Sequence, residues 1–492
     1  MPRVSCRPPR VGRRPLAVAG RPPERWRCAC YVEVENGQVA TESSAIMFIF
    51  WIQFLLVLGA ILIGIRKGGV ALGLIGGLGV AVLTFFFRAT PAEPPVAVML
   101  IILAVVTASA TLQVAGGLDL LVQLAERLLR AHPRYVTILA PLCTFFLTMA
   151  VGTGHAVYAL LPVIADVSLR TGIRPERPMA ISSVAAQMGI TASPVAAAVT
   201  TFMAFALKAG QPISLYDILK ITIPAGIIGV LAAATWSINR GLDLDKDPIY
   251  QARLQDPEFR KSLDVSVTTL DKQLPLSAKL SVVLFFCGVL TIVVLALDQD
   301  FFKLGLLPRI DGKPLAMTTV VQIVMLGFGA LILITTRVKA HDISKSSVFN
   351  AGMIAVVCIF GIAWMSDTFV TANKTFLIAQ IKSMVEVAPW TFAIAMFAVS
   401  AFMKSQAATL AVMIPFGLAL GLPMTLMLGL MPASYAYFFF AFYPSDLAAI
   451  SMDRTGTTHI GKFLLNHSFM IPGFIGVGVS TVVAYLLSRI AF

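Results

Sequence analysis

Long apolar stretches separated by short polar breaks dominate the chain. Apolar runs fill 48–65, 69–87, 96–115, 135–151, 156–169, 190–207 and 216–236. After a polar stretch at 239–279 they resume at 280–298, 315–335, 348–370, 389–403, 407–420, 423–442 and 464–491. Several reach the ~20 residues that a helix needs to cross a hydrocarbon core about 30 Å thick. The pattern predicts an all-α polytopic membrane protein with about 10–12 membrane segments from residue 48 to 490. Stretches 117–131 and 374–388 mix charges with leucine and other apolar residues, so they are expected to lie along the interface.

The breaks are patterned. Gly152-Thr153-Gly154-His155-Ala156-Val157-Tyr158-Ala159-Leu160-Leu161-Pro162 places small and polar residues ahead of an apolar helix and a proline. Ser405-Gln406-Ala407-Ala408-Thr409-Leu410-Ala411-Val412-Met413-Ile414-Pro415 repeats that grammar. A second polar break follows in each half, at Thr191-Ala192-Ser193-Pro194 and at Tyr443-Pro444-Ser445-Asp446. Two halves with matched breaks predict inverted repeats with broken helices and re-entrant hairpins. The chain then divides into an extension at 1–46, a first transmembrane repeat at 47–238, a polar and cytoplasmic linker at 239–279, and a second repeat at 280–492.

Irregular backbone at membrane depth is tolerated where it is buried in protein or lines a cavity, because hydrocarbon pairs with no N–H or C=O group. A hairpin arm of ~10 residues rises ~15 Å, so its tip reaches the midplane. Helix N-termini at such tips suit anions. The expected substrate-binding residues are therefore Gly152, Thr153, Gly154, His155, Ser193, Pro194, Lys404, Ser405, Gln406, Ser445, Arg454, Thr457, Thr458 and His459. Asp446, beside the second-half break, is the expected ion-coupling residue, with a proton or sodium as the ion. Lys404, Arg454, His155 and His459 around one cavity would suit an elongated dianion better than a cation or a sugar. Blander roles stay open: snorkelling for Lys404, a structural histidine at 155, and an Asp446–Arg454 ion pair. The charges at Asp166, Arg170, Arg174, Glu176 and Arg177 read as a solvated loop, as does the linker.

Composition narrows the function further. Hydrophobic residues make up 58% and charged residues 13%, where a soluble domain carries about 25% charged. The net charge of +13 does not indicate nucleic acid, because its densest part is eight arginines between Arg3 and Arg27. Without residues 1–46 there remain 30 basic and 21 acidic residues, mostly in short connections, as in membrane-protein loops. Cys143, Cys287 and Cys358 lie singly in apolar runs, and Cys6, Cys28 and Cys30 in the extension, so no disulfide framework, metal or cofactor is implied. The motifs of zinc proteases, serine hydrolases and phosphate-binding loops are missing, which argues against an enzyme.

Longer strings carry a family resemblance. They include Ile65-Arg66-Lys67-Gly68-Gly69-Val70, Ala108-Ser109-Ala110-Thr111-Leu112-Gln113, Gly152-Thr153-Gly154-His155, Ile173-Arg174-Pro175-Glu176-Arg177-Pro178 and Leu242-Asp243-Leu244-Asp245-Lys246-Asp247. Gln187-Met188-Gly189-Ile190 belongs to the set, as does Tyr443-Pro444-Ser445-Asp446-Leu447-Ala448-Ala449-Ile450. The last string continues through Asp453-Arg454-Thr455-Gly456-Thr457-Thr458-His459-Ile460-Gly461 to Asn466-His467-Ser468-Phe469. From about residue 47 to 492 the chain resembles the anaerobic C4-dicarboxylate transporter family (the Dcu A/B type). The resemblance implies a bacterial inner-membrane carrier for fumarate, succinate, malate and aspartate, working by exchange, uptake or efflux. Alternatives are a symporter for another anion such as citrate or sulfate, and a membrane-embedded regulator of a sensor kinase. The positive-inside tendency puts Arg66-Lys67 in the cytoplasm.

Residues 1–46 hold six prolines and no apolar core, so Met47 is the expected functional start. Deleting 1–46 is expected to leave membrane insertion and transport intact. Uptake by whole cells at matched expression checks this, and a loss of more than half the activity would make the extension part of the working protein.

Overall fold

The computed structural model describes residues 36–67, 70–211, 213–263, 268–298, 304–310, 313–440, 443–461 and 466–492. Residues 1–35 of the extension lie outside this set, and the first helix, α1 (Asn36–Lys67), begins ahead of Met47. The first half continues with α2 (Ala71–Ala81), α3 (Val96–Val114), α4 (Gly117–Ala131), α5 (Val136–Val151), α6 (Val157–Arg170), α7 (Glu176–Met188), α8 (Ala197–Lys208) and α9 (Leu215–Ile238). Two short helices, α10 (Pro248–Arg253) and α11 (Pro257–Leu263), form the linker. The second half holds α12 (Leu276–Leu297), α13 (Met317–Thr336), α14 (Ala340–Lys345), α15 (Ser347–Val387), α16 (Thr391–Met403), α17 (Gln406–Ala419), α18 (Met424–Leu430), α19 (Pro444–Met452) and α20 (Met470–Ala491). A two-stranded ribbon, Arg309–Ile310 with Lys313–Pro314, lies between α12 and α13.

Seven helices among the described residues are long and apolar enough to cross a bilayer, or eight if α3 and α4 count as one bent span. The remaining apolar sequence is in shorter pieces such as Ala197–Lys208 and Gln406–Ala419, which cannot cross alone. The expected 10–12 segments are thus divided between full spans and half-length arms. Region 117–131 turns away from α3 by 69° at Gly116, whose left-handed backbone (φ +85°) only glycine adopts cheaply. Residues 374–387 do not form a separate interfacial element, because the backbone of α15 runs through them.

The halves pack reciprocally. α2 packs on α15 as α13 packs on α3, and α6 packs on α19 as α17 packs on α8. Like-placed helices also meet each other, α3 with α15 and α9 with α20. Such reciprocity is the signature of two-fold-related parts. Small residues bring the backbones close. A Cβ on Gly361 of α15 would overlap the Gly73 carbonyl of α2, and one on Gly229 of α9 would overlap the Gly476 carbonyl of α20. Lipid gives no hydrophobic drive for helix pairing, so such close approach supplies dispersion contacts instead.

Two large apolar cores result among the described residues. One is built on α4 to α7 with Tyr435, Phe438 and Phe469, and the other on α2, α3, α8, α13, α15 and α17. A polar clamp adjoins the first. Arg174 pairs with Glu176 at 2.7 Å and with Asp247 at 2.5 Å, while Arg240 pairs with Glu176 at 2.9 Å. Arg177 reaches Asp243 at 2.7 Å, and Arg130 joins Glu126 to Asp166. The reading of 166–177 as solvated is corrected for Asp166, Glu176 and Arg177, and that of the linker for Asp247: these are buried, because each charge meets an opposite one from a distant segment, whereas Arg170 and most of the described linker residues are exposed.

Replacing Gly361 by alanine is expected to destabilise the detergent-solubilised protein by roughly 2 kcal/mol through overpacking. Alanine at Gly77, whose Cβ would point into open space, should be neutral or stabilising by about 0.5–1 kcal/mol. Thermal melts of the two variants check the contrast, and equal melting temperatures would contradict the α2–α15 contact.

Candidate functional site

Each half contains one hairpin of broken helices, and the two breaks share a geometry. Helix α5 ends at Gly152 in the left-handed region (φ +83°), and Thr153 is extended (φ −143°, ψ 135°). The Thr153 hydroxyl then accepts from the His155 amide at 3.4 Å, and a short 3₁₀ turn leads into α6. In the second half α16 ends at Lys404, also left-handed (φ +52°), and Ser405 is extended (φ −156°, ψ 122°). The Ser405 hydroxyl accepts from the Ala408 amide at 3.3 Å and caps α17. By backbone, Gly152 corresponds to Lys404 and Thr153 to Ser405, one position off the letter-by-letter match of the two strings. The offset arises because Pro162 follows Thr153 by nine residues while Pro415 follows Ser405 by ten. A lysine in this region costs about 1 kcal/mol over glycine, the kind of strain that collects at working sites.

The two tips meet. Gly152, Thr153, Gly154 and His155 share one cavity of about 340 Å³ with Lys404, Ser405 and Gln406. Its other polar lining is Ser109, Tyr437 and Tyr443, and its apolar wall includes Ile102, Val105, Val195, Ala198, Cys358 and Met403. These groups come from both apolar cores, so the cavity lies along the seam between them. Its volume is within the ~300–1,000 Å³ common for small-ligand sites. Across the seam the Ser109 hydroxyl donates to the Val151 carbonyl at 3.1 Å, bracing α3 against the end of α5.

Beneath the tips is a network that the sequence reading did not include. Tyr437 donates its hydroxyl to Gln187 Oε1 at 2.9 Å, and Gln406 Nε2 donates to the Gln187 carbonyl at 2.6 Å. Gly154 has no side chain because the Gln187 amide occupies that space. Tyr437 and Tyr443 pack with ring centroids 4.4 Å apart. The available signal was a lone glutamine in the buried run Pro178–Met188 and two tyrosines among phenylalanines.

The remaining expected residues are elsewhere. Ser193 is fully buried, and its hydroxyl accepts from the Val195 amide at 3.3 Å; with Pro194 it supports the cavity wall without lining it. Ser445 and Asp446, in the first turn of α19, lie 2.8 and 2.6 Å from the Ser183 hydroxyl, one layer behind Tyr443. The second carboxylate oxygen of Asp446 has no hydrogen-bond partner among the described residues. Arg454 borders a separate cavity of about 110 Å³ with Pro162, Asp166 and Asp453. Thr457 and the Thr458 amide both bond Asp453, at 2.8 and 2.6 Å, and His459 Nδ1 lies 2.7 Å from the Thr457 carbonyl. This loop is tied to the clamp, since Glu176 donates its amide to Thr457 at 3.1 Å. The structure thus gathers the two tips in one place and puts Arg454, Thr457, Thr458 and His459 in another. Of the expected cations, Lys404 and His155 line the central cavity.

Full spans, paired hairpins and a cavity at the seam that gathers polar groups from both tips define a multi-pass membrane transport protein. The profile described as anaerobic C4-dicarboxylate membrane transporter matches residues 49–492, and the chain belongs to that family. Anaerobic C4-dicarboxylate transporter DcuB of Escherichia coli strain CFT073 is 47% identical over 444 residues, covering 89% of this chain and 98% of that protein. C4-dicarboxylate transporter DcuA of Escherichia coli K12 is 39% identical over 442 residues, covering 89% and 98%. The DcuA protein of Wolinella succinogenes is 38% identical over 438 residues, covering 89% and 99%. These relatives are transporters and not enzymes.

At Lys404, glycine is expected to give a more stable protein than alanine by about 1 kcal/mol, the reverse of the order inside a helix. Both variants lose the same side-chain interactions, so their difference reads the backbone alone. Melting curves check it, and alanine equal to or above glycine would rule out the left-handed conformation.

Proposed function

We propose that the chain is a secondary carrier that moves C4-dicarboxylates (fumarate, succinate, malate and aspartate) across a bacterial inner membrane by exchange, uptake or efflux. The observation that carries the reading is the meeting of two matched helix tips in one cavity. Each tip presents the N-terminal end of a helix, where unpaired N–H groups and the positive dipole end favour an anion. Two such ends facing one cavity suit a ligand with a carboxylate at each end. Lys404 adds a cation at one end, and the Thr153 and Ser405 hydroxyls add donors. Movement of one apolar core against the other along the seam would open the cavity to the two membrane faces in turn.

Ion coupling is assigned to Asp446, with a proton or sodium as the ion. The residue is buried behind the cavity wall, and one carboxylate oxygen is left without a protein partner. A cation or proton taken up there would complete its bonding. Counterflow of labelled succinate in proteoliposomes tests transport: the carrier is expected to exchange external label for internal succinate with saturation, and no counterflow would sink the reading. In the same vesicles Asp446→Asn is expected to keep fumarate–succinate exchange but to lose most gradient-driven fumarate accumulation. Accumulation at the unmodified level would leave Asp446 a purely structural residue.

A further inference from the structure

One residue of the cavity lining carries an acceptor that no described protein group meets, where a site for a bare dianion needs only donors. Gln406 is the first residue of α17, lines the cavity and is 2% exposed. Its amide orientation is forced, because Nε2 is 2.6 Å from the Gln187 main-chain carbonyl, an atom that can only accept. Nε2 also lies 3.3 Å from the Tyr437 oxygen, whose own proton goes to Gln187 Oε1. Turning the amide over would set two carbonyl oxygens against each other. Oε1 has no hydrogen-bond partner among the described residues, and neither does Gln187 Nε2.

A buried acceptor left unpaired is costly, and a ligand that supplies a donor there gains what one lacking it cannot. Within the proposed substrate class, on which this inference rests, fumarate and succinate carry acceptors only. Malate adds a hydroxyl on carbon 2, and aspartate adds an ammonium at the same place. With the carboxylates taken by the two tips, the group between them is what remains to be read. We infer that Gln406 Oε1 is the specificity determinant that recognises the carbon-2 donor, so the site favours hydroxy- and amino-substituted C4-dicarboxylates over unsubstituted ones. Tyr437 and Gln187 act as positioning residues that hold the Gln406 amide in that orientation.

The test uses the full chain in proteoliposomes, with unlabelled malate, aspartate, succinate and fumarate competing against labelled succinate counterflow. The unmodified protein is expected to bind malate and aspartate roughly tenfold more tightly than succinate. Gln406→Met removes the acceptor and should bring all four within about twofold, mainly by weakening malate and aspartate. Gln406→Glu keeps an acceptor and adds a negative charge, so aspartate, the one substrate with an ammonium, should gain over the other three. Should the methionine variant fail to assemble, the aspartate-to-succinate ratio of the glutamate variant decides, and an unchanged ratio overturns the inference. A flat preference in the unmodified protein with intact counterflow also overturns it while leaving the carrier reading in place. So does a methionine variant that weakens all four ligands by one factor. Counterflow with none of the four overturns both.

Discussion

Everything in this fold follows from the need to pair each backbone N–H and C=O group inside hydrocarbon. A helix interrupted at mid-depth leaves such groups open, and protein or a polar ligand must meet them. At both tips the answer is local first: a left-handed residue closes one helix, and a threonine or serine hydroxyl caps the next. The residues of both caps line the cavity. The requirement that makes a broken helix costly is the same one that makes it a ready receptor for anions.

The supporting architecture lets two such breaks face each other. Pseudo-two-fold packing brings the hairpin arm of each half against the helix that follows the second break of the other, α6 on α19 and α17 on α8. Glycine seams between α2 and α15 and between α9 and α20 replace the hydrophobic drive that lipid cannot supply. The polar clamp of Arg174, Glu176, Arg240 and Asp247 ties the linker to the first half, and Thr457 of the second half joins it. The cavity then lies where the two apolar cores adjoin, the natural place for relative motion.

Much of this was legible from the residues in order. Gly152 and Lys404 mark helix breaks because small and charged residues interrupt apolar runs, and prolines at 162 and 415 mark the arms. The depth of a charge was not legible. Arg454 and His459 share a string with Asp446, yet α19 carries the chain from the cavity wall to the clamp, where Asp453 collects the hydrogen bonds of the loop. Glu176 and Arg177 looked solvated because their partners, Arg240 and Asp243, are far off in sequence. Gln187, although part of a family string, is not marked as a site residue by sequence, because an uncharged amide in a buried run has no signature until its neighbours are known.

The exchange of glycine for lysine between the two tips has a geometric consequence. A site with full two-fold symmetry would take a dicarboxylate in either of two end-to-end orientations, so a group on carbon 2 would point to opposite walls in equal measure. Under the proposed reading, Lys404 at one tip and Gly152 at the other would remove that degeneracy, since one carboxylate would meet a cation that the other lacks. With the ligand's ends distinguished and Gln406 at one tip only, a site working in this way would be handed. Mirror-image forms of a substituted dicarboxylate would then be different molecules to this protein, although its fold is built from two nearly equivalent halves.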